Sequence, residues 1–216
     1  MTKILIADDH TIIRIGIAMI IEELHPSVQI EQVSDFNEVV AILKDKSFDL
    51  LILDINIPGG NNLQMIEAIR LRQPDQKILM FTAYDEELFA SRYLQAGANG
   101  YLVKDSPREE IAKAIQTVLQ NEVYVSDTVT QGILQRLTGK AENNYSLSQL
   151  SNREMEVLQL LVKGNSITEI AAMLHLGITT INTYKTRILE KLNMKNVVEL
   201  VSRYPMLVSN KQQLNY

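Results

Sequence analysis

The stretch FDLLILD, Phe48 to Asp54, carries an apolar run, Leu50–Leu53, closed by a carboxylate. Consecutive apolar residues suit a strand covered by helices on both faces, the situation of a central strand in a parallel sheet. Ile78–Phe81 has the same character. Working outward, strands are read at Lys3–Ala7, Val28–Val33, Phe48–Leu53, Lys77–Phe81 and Gly100–Val103. Helical periodicity fills the gaps at about 11–24, 35–46, 62–72, 85–96 and 107–121. The last of these opens on Ser106-Pro107-Arg108-Glu109, read as a capping box with proline at the first helical position.

Alternating strands and helices with right-handed crossovers predict an α/β fold, a flavodoxin-like, doubly wound, five-stranded parallel sheet in the order 2-1-3-4-5. Ligands of such a sheet sit at its carboxyl edge. That edge collects an unusual set of side chains: Asp8 and Asp9 after the first strand, Asp54 after the third, Thr82 after the fourth and Lys104 after the fifth. Three carboxylates so close repel one another, and their hard oxygens suit Mg²⁺. With the metal in place, a phosphoryl group on Asp54 would be neutralised by Mg²⁺ and Lys104 and hydrogen-bonded by Thr82.

Composition bounds the rest. The 216 residues include no cysteine and only His10, His25 and His175, which removes disulfides, thiol nucleophiles and cysteine-bound zinc. No charge-free apolar run reaches the roughly 18 residues of a membrane span, and MTKILIADD is not a secretory leader, so a cytoplasmic protein with no membrane partner is expected. The net charge of -5 is unevenly spread: residues 1–125 carry 11 basic and 19 acidic side chains, and residues 148–216 carry 8 and 5. The C-terminal part is therefore mildly basic, as attraction to a phosphate backbone requires. Expected domains are 1–125, a linker at 126–147 with a short helix at Thr128–Leu137, a helical domain at 148–208 and a disordered tail at 209–216.

The strings ADDH at 7–10, LDINIPGGN at 53–61, FTAY at 81–84 and YLVKD at 101–105 resemble the receiver domain of two-component response regulators. The resemblance spans about residues 1–121. It implies that Asp54 accepts the phosphoryl group, that Asp8, Asp9 and Asp54 hold Mg²⁺ with the backbone carbonyl of Asn56, and that Thr82 and Lys104 are switch residues. Tyr101 would be the aromatic that turns inward when Thr82 moves. Asn62 stands where many receivers place glycine, and asparagine tolerates the left-handed conformation. His10 is read as a helix-start residue.

Beyond Leu147 no strand pattern appears, and four helices are read at about 151–163, 166–174, 178–192 and 196–203. Ser151-x-x-Glu154 and Ser166-x-x-Glu169 are capping boxes that start the first two. Ile170, Ala171 and Leu174 on the second, with Ile181, Ile188, Leu189 and Leu192 on the third, form the inward face of a helix-turn-helix. LSNREMEVLQLLVKGNSITEIAAMLHL and TTINTYKTRILEKLNMKN resemble the LuxR-type domain of the NarL/FixJ class. By that likeness Asn182, Thr183, Lys185, Thr186 and Arg187 face or flank the major groove, and Lys191 and Lys195 contact phosphates. Gly177, Asn182 and Tyr184 depart from a common Ser, Lys and His, and Asn182 suits adenine where lysine favours guanine.

The combined expectation is a transcriptional regulator, not an enzyme. A sensor histidine kinase phosphorylates Asp54, and the chain, a homodimer once activated, binds double-stranded promoter DNA. The first helix, TIIRIGIAMIIEEL, is apolar on more than one face and is a candidate dimer surface. Two rivals share part of the chemistry. A HAD-like Mg-dependent phosphohydrolase also uses a strand-end Asp, but it would want a second Asp where Asn56 stands. A flavin or nucleotide binder would want a glycine-rich loop where ADDH stands.

Overall fold

A computed structural model describes residues 1–127, 129–131, 147 and 149–208. The chain divides into two compact units, Met1–Gly132 and Ile133–Tyr216. The expected helix at Thr128–Leu137 and tail at 209–216 lie largely or wholly outside the described residues.

The first unit is the expected α/β sandwich. Strands β1 (Lys3–Ala7), β2 (Gln29–Val33), β3 (Leu50–Leu53), β4 (Ile78–Thr82) and β5 (Gly100–Val103) form one sheet in the order β2-β1-β3-β4-β5, with every pairing parallel. Helices α1 (Thr11–Leu24), α2 (Phe36–Asp45), α3 (Leu63–Arg70), α4 (Glu86–Gln95) and α5 (Arg108–Leu119) connect and cover them. Every residue of β3 and β4 is buried, which is why neither strand shows alternation. Alternate residues Ile4, Ile6, Leu50, Ile52, Leu79 and Phe81 pack in one core with Ile17 and Ile21 of α1 and Ile111, Ile115 and Val118 of α5.

The start of α5 departs from expectation. Pro107, with φ −57° and ψ 152°, is itself the N-cap, and no side-chain cap is made. The Ser106 N–H donates to the Val103 carbonyl at 3.1 Å, so Ser106 belongs to the turn leaving β5. The Pro107 carbonyl instead accepts from Glu110 and Ile111, so the helix begins one residue later than a Ser106 cap would start it.

In the second unit the described helices are α6 (Asn152–Val162), α7 (Ile167–Met173), α8 (Ile178–Lys191) and α9 (Val197–Val208). The last runs through Pro205, five residues beyond the expected end. Both capping boxes form: Ser151 accepts from the Glu154 N–H and Ser166 from the Glu169 N–H, and each Glu reaches back to its Ser N–H. Ile170, Ala171, Leu174, Ile181, Ile188 and Leu192 are buried together, and Leu189 is half-buried.

Helix α7 ends in a Schellman turn: the Leu176 N–H donates to the Ala171 carbonyl and the His175 N–H to the Ala172 carbonyl. The C′ residue of such a turn is left-handed, and here it is His175 at φ 52°, where α6 uses Gly164 at φ 87°. A Cβ in that conformation costs about 1 kcal/mol, partly offset in glycine by a looser unfolded chain. His175→Gly should therefore raise the stability of the helical unit by up to about 1 kcal/mol, seen as a higher urea midpoint. A lower midpoint would show that the His175 side chain contributes something its exposed position does not suggest.

Candidate functional site

Sheet register assembles the carboxyl edge. Ala7 pairs with Leu53, so Asp8 and Asp54 leave adjacent strands side by side, and the Asp54 N–H donates to the Ala7 carbonyl at 2.9 Å. Thr82 pairs with Val103, which brings Lys104 alongside, its N–H on the Thr82 carbonyl at 2.8 Å. Asp8, Asp54 and Thr82 are each no more than 2% exposed.

The Lys104 ammonium sits between the two buried carboxylates, 2.8 Å from Asp54 Oδ2 and 2.7 Å from Asp8 Oδ2. Burial opposes the charge on Lys104, but Asp54 and Asp8 outweigh it and hold the ammonium above its ordinary pKa. Asp54 is pushed up, chiefly by burial, with Asp8 adding to the rise and Lys104 and the Asn56 N–H opposing it. Asp9 joins from the half-exposed rim. Ligand atoms of Asp8, Asp9, His10 and Asp54 lie within 4.8 Å of one another, a compact set dominated by hard oxygens that fits Mg²⁺.

His10 is the residue that reasoning from the sequence undervalued. It does occupy the N-cap of α1, yet it makes no side-chain cap. Its Nδ1 lies 3.1 Å from Asp8 Oδ1 and 2.7 Å from Asp9 Oδ1. The only signal was its adjacency to two acids. Arg14, one turn into α1, donates to the Asp8 carbonyl and steadies the same loop.

A second layer lies beyond Thr82. The Thr82 hydroxyl accepts from the Tyr84 N–H at 3.3 Å, and the Tyr84 phenol donates to Asn56 Oδ1 at 2.9 Å. Tyr101 is 1% exposed, and its phenol donates to the Tyr84 carbonyl at 3.1 Å. It is thus inward already, with Lys104 on Asp54, rather than waiting outside for Thr82 to move. Burial, followed by Tyr93 and nearby acids, drives its pKa well up, so it remains a donor. Asn62 has a positive φ of 49° but ψ of −127°, which is not the left-handed helical region.

On α8 the groove candidates Asn182 and Lys185 are half-buried, and Thr183, Thr186 and Arg187 are exposed. Lys185 Nζ donates to Asn182 Oδ1 at 3.1 Å, and the Asn182 amide donates to the Ile178 carbonyl. Among the described residues Arg187 and the Lys195 ammonium make no ion pair, and Glu190 does not engage Arg187. Lys191 differs: its ammonium lies 2.6 Å from Glu154 Oε2 and 3.2 Å from the Gln149 carbonyl, tying α8 to the start of α6. Burial raises the Glu154 pKa, but Lys191 and Ser151 more than compensate and bring it below the usual range.

Comparison with known proteins agrees with this geometry. Residues 4–116 match the family described as the response regulator receiver domain, and residues 148–204 match the bacterial regulatory proteins of the luxR family. The oxygen regulatory protein NreC of Staphylococcus epidermidis is 34% identical over 206 residues, covering 92% of this chain and 94% of NreC. The response regulator UvrY of Escherichia coli is 29% identical over 200 residues, covering 93% and 92%. Among solved structures, RcsB from Salmonella enterica serovar Typhimurium, bound to promoter rprA in the presence of phosphomimetic BeF3-, aligns with a TM-score of 0.62 at 26% identity over 93% of this chain and 96% of that one.

The raised pKa of Asp54 has a direction for stability. A carboxyl whose pKa is higher folded than unfolded favours the folded chain while protonated, and that advantage is lost as pH rises through the folded value. Ionised Asp54 is thus a net cost to the metal-free fold, and Asp54→Asn removes it. In urea without divalent cations the variant should be the more stable protein at pH 7, and the gap should narrow toward about pH 4. Equal stability at neutral pH would mean that Lys104 fully compensates the burial.

Proposed function

Because the chain belongs to the response regulators, with a receiver domain followed by a luxR-family domain, we propose that Asp54 is its phosphoacceptor and that its phosphoryl state sets how tightly α8 engages promoter DNA. One observation carries the reading: a buried Asp54 beside a buried Asp8, with Lys104 between them at 2.8 and 2.7 Å. The donor is a sensor histidine kinase. The N–P bond of its phosphohistidine breaks as an Asp54 oxygen bonds to phosphorus, and the imidazole nitrogen leaves and takes a proton.

Asp54 acts as the nucleophile and must be ionised, which Lys104 and the Asn56 N–H favour against burial. After transfer Lys104 pairs with a phosphoryl oxygen, and the Thr82 hydroxyl turns from accepting the Tyr84 N–H to donating to another. Asp8, Asp9, Asp54 and the Asn56 backbone carbonyl are the residues to hold Mg²⁺, which supplies charge neutralisation at the phosphoryl oxygens. A turn of Thr82 disturbs the bond it accepts from the Tyr84 N–H, so the Tyr84–Tyr101 pair and the head of α4 are the first elements to feel the change. The role of Tyr101 is then to hold or release an inward position it already occupies. No turnover of an external substrate is assigned. The phosphohydrolase alternative lacks support, since Asn56 stands where a general acid is needed and its side-chain oxygen accepts from Tyr84.

For DNA we assign Asn182, Thr183, Lys185, Thr186 and Arg187 to the groove and Lys195 to phosphate. Lys191 is shared with Glu154 and contributes less as a phosphate contact than an unpaired lysine. Ile12, Ile15 and Met19 are exposed on α1 and support a homodimer of the activated chain; RcsB is seen as dimers bound to DNA. Among the described residues no helix is long and apolar enough to cross a membrane, in keeping with a cytoplasmic site of action.

Treatment with an acyl phosphate and Mg²⁺ should tighten DNA binding of the parent chain and leave Asp54→Ala unchanged; equal tightening of both in a mobility-shift titration would remove Asp54 from the mechanism. The salt dependence separates the lysines. Lys195→Ala should lower the slope of log K against log salt by about 0.9, and Lys191→Ala by clearly less.

A further inference from the structure

The chain leaving α5 returns to the sheet before it departs for the second unit. Tyr124 forms a parallel bridge with Gly100: the Tyr124 N–H donates to the Asn99 carbonyl at 3.0 Å, and the Tyr101 N–H to the Tyr124 carbonyl at 3.1 Å. The approach is close enough that a Cβ on Gly100 would lie 3.2 Å from the Tyr124 Cβ and carbonyl oxygen and 2.9 Å from Leu79 Cδ1. The Tyr124 phenol adds a bond to Glu110 Oε1 on α5 at 2.9 Å. Tyr124 is therefore pinned to β5 and α5 at once, and only 3% of it is exposed.

Two residues on, Ser126 makes contact with a different element. Its hydroxyl donates to Glu86 Oε1, the first residue of α4, at 2.6 Å, and accepts from the Val129 N–H at 3.2 Å. Its carbonyl accepts from the Thr130 N–H. Ser126 is thus the N-cap of the helical turn that opens the interdomain connection, and the same hydroxyl reads the position of α4.

We propose that Ser126 and Glu86 form a clip that couples Asp54 to the interdomain connection: movement of α4 breaks the Ser126–Glu86 bond and loosens the cap of the connecting helical turn. This inference rests on Asp54 being the phosphoacceptor. The physical reason is the short tether. With Tyr124 pinned, Ser126 is tethered to a fixed point by two residues that span at most about 7 Å, so its freedom to follow α4 is limited. A hydrogen bond of 2.6 Å to a carboxylate is short and charge-assisted, and a shift of about 1 Å takes it out of bonding range. The head of α4 lies close to the site of change, since Glu86 follows Thr82 by four residues, through Tyr84 and the Asp85 cap. Ser126 and Glu86 are positioning residues that touch neither phosphoryl group nor DNA.

The test uses the full chain and a DNA duplex selected by the phosphorylated parent from a random-sequence pool. Ser126→Ala and Glu86→Ala sever the clip; Ser126→Thr and Glu86→Gln keep a donor and an acceptor in place. Three quantities are read: the extent of Asp54 phosphorylation by an acyl phosphate, the ratio of DNA affinities with and without it, and hydrogen exchange at the Val129 and Thr130 amides. The severed variants should phosphorylate to the parental extent, exchange Val129 fast in both states, and lose about fivefold or more of the affinity ratio. The conservative variants should retain it. Parental ratios in the severed variants, or a Val129 amide indifferent to phosphorylation in the parent, overturn the clip. A parent chain that Asp54 phosphorylation does not affect overturns the Asp54 reading itself, and shows before any clip variant is made.

Discussion

The constraint on which the first unit depends is the company of Asp54 and Asp8. Two carboxylates side by side, each about 2% exposed, are not sustainable without a cation, because burial and mutual repulsion both disfavour the charge. Lys104 supplies that cation from β5, two strands from Asp54 and three from Asp8, and a parallel sheet is what makes the delivery possible. All five strands end on one edge, so residues 8, 54, 82 and 104, far apart in sequence, arrive at one place without any long-range turn. An antiparallel arrangement would send half of them to the opposite edge. The pocket is thus held in tension: chemically capable because its charges are crowded, and tolerated because they are paired.

The second unit solves a different problem with little core. Its helix α7 has only seven residues, too few to hold itself as a helix in water. Two capping boxes fix the starts of α6 and α7, and the buried Ile170, Ile181 and Ile188 with the Glu154–Lys191 pair hold α8 against them. Glu154 serves twice, closing the capping box of α6 and neutralising the last turn of α8. Among the described residues, the exposed Arg187 and Lys195 make no ion pair, unlike Lys191.

Much of this was legible from residue order alone, and the reasons are physical. Strand ends in a parallel sheet are where apolar runs stop, so Asp54 and Lys104 announce themselves by following LLIL and GYLV. Serine with glutamate three residues on is a local signal, and both boxes in the second unit form. Ser106 to Glu109 carried the same pattern and failed, because Ser106 is needed in the turn leaving β5 and Pro107 can serve as the cap. Side-chain orientation was not legible. His10 turns back to its own acids instead of capping α1, Lys191 turns toward Glu154 instead of outward, and Tyr101 is inward from the start. Each of these is decided by a partner distant in sequence or by a choice of rotamer, which periodicity does not record. The bridge of Tyr124 to Gly100 belongs to the same class, since a single residue pairing on a sheet edge leaves no pattern.

How small a change at Asp54 can matter follows from the size of the couplings. A tenfold difference in DNA affinity corresponds to about 1.4 kcal/mol between two states of the chain. A charge-assisted hydrogen bond has a net value of about 1.5–3 kcal/mol. A regulator built this way has no need of a large rearrangement of its core, and the burial of β3 and β4 on both faces argues against one. The elements able to respond are those bound by a few polar contacts at the edge: the Thr82–Tyr84 turn, the head of α4 and the residues that Tyr124 pins beside it. On the proposed reading, signal and stability occupy different parts of the same sheet, the strands being fixed by apolar burial and the carboxyl edge being held by hydrogen bonds that one phosphoryl group can outweigh.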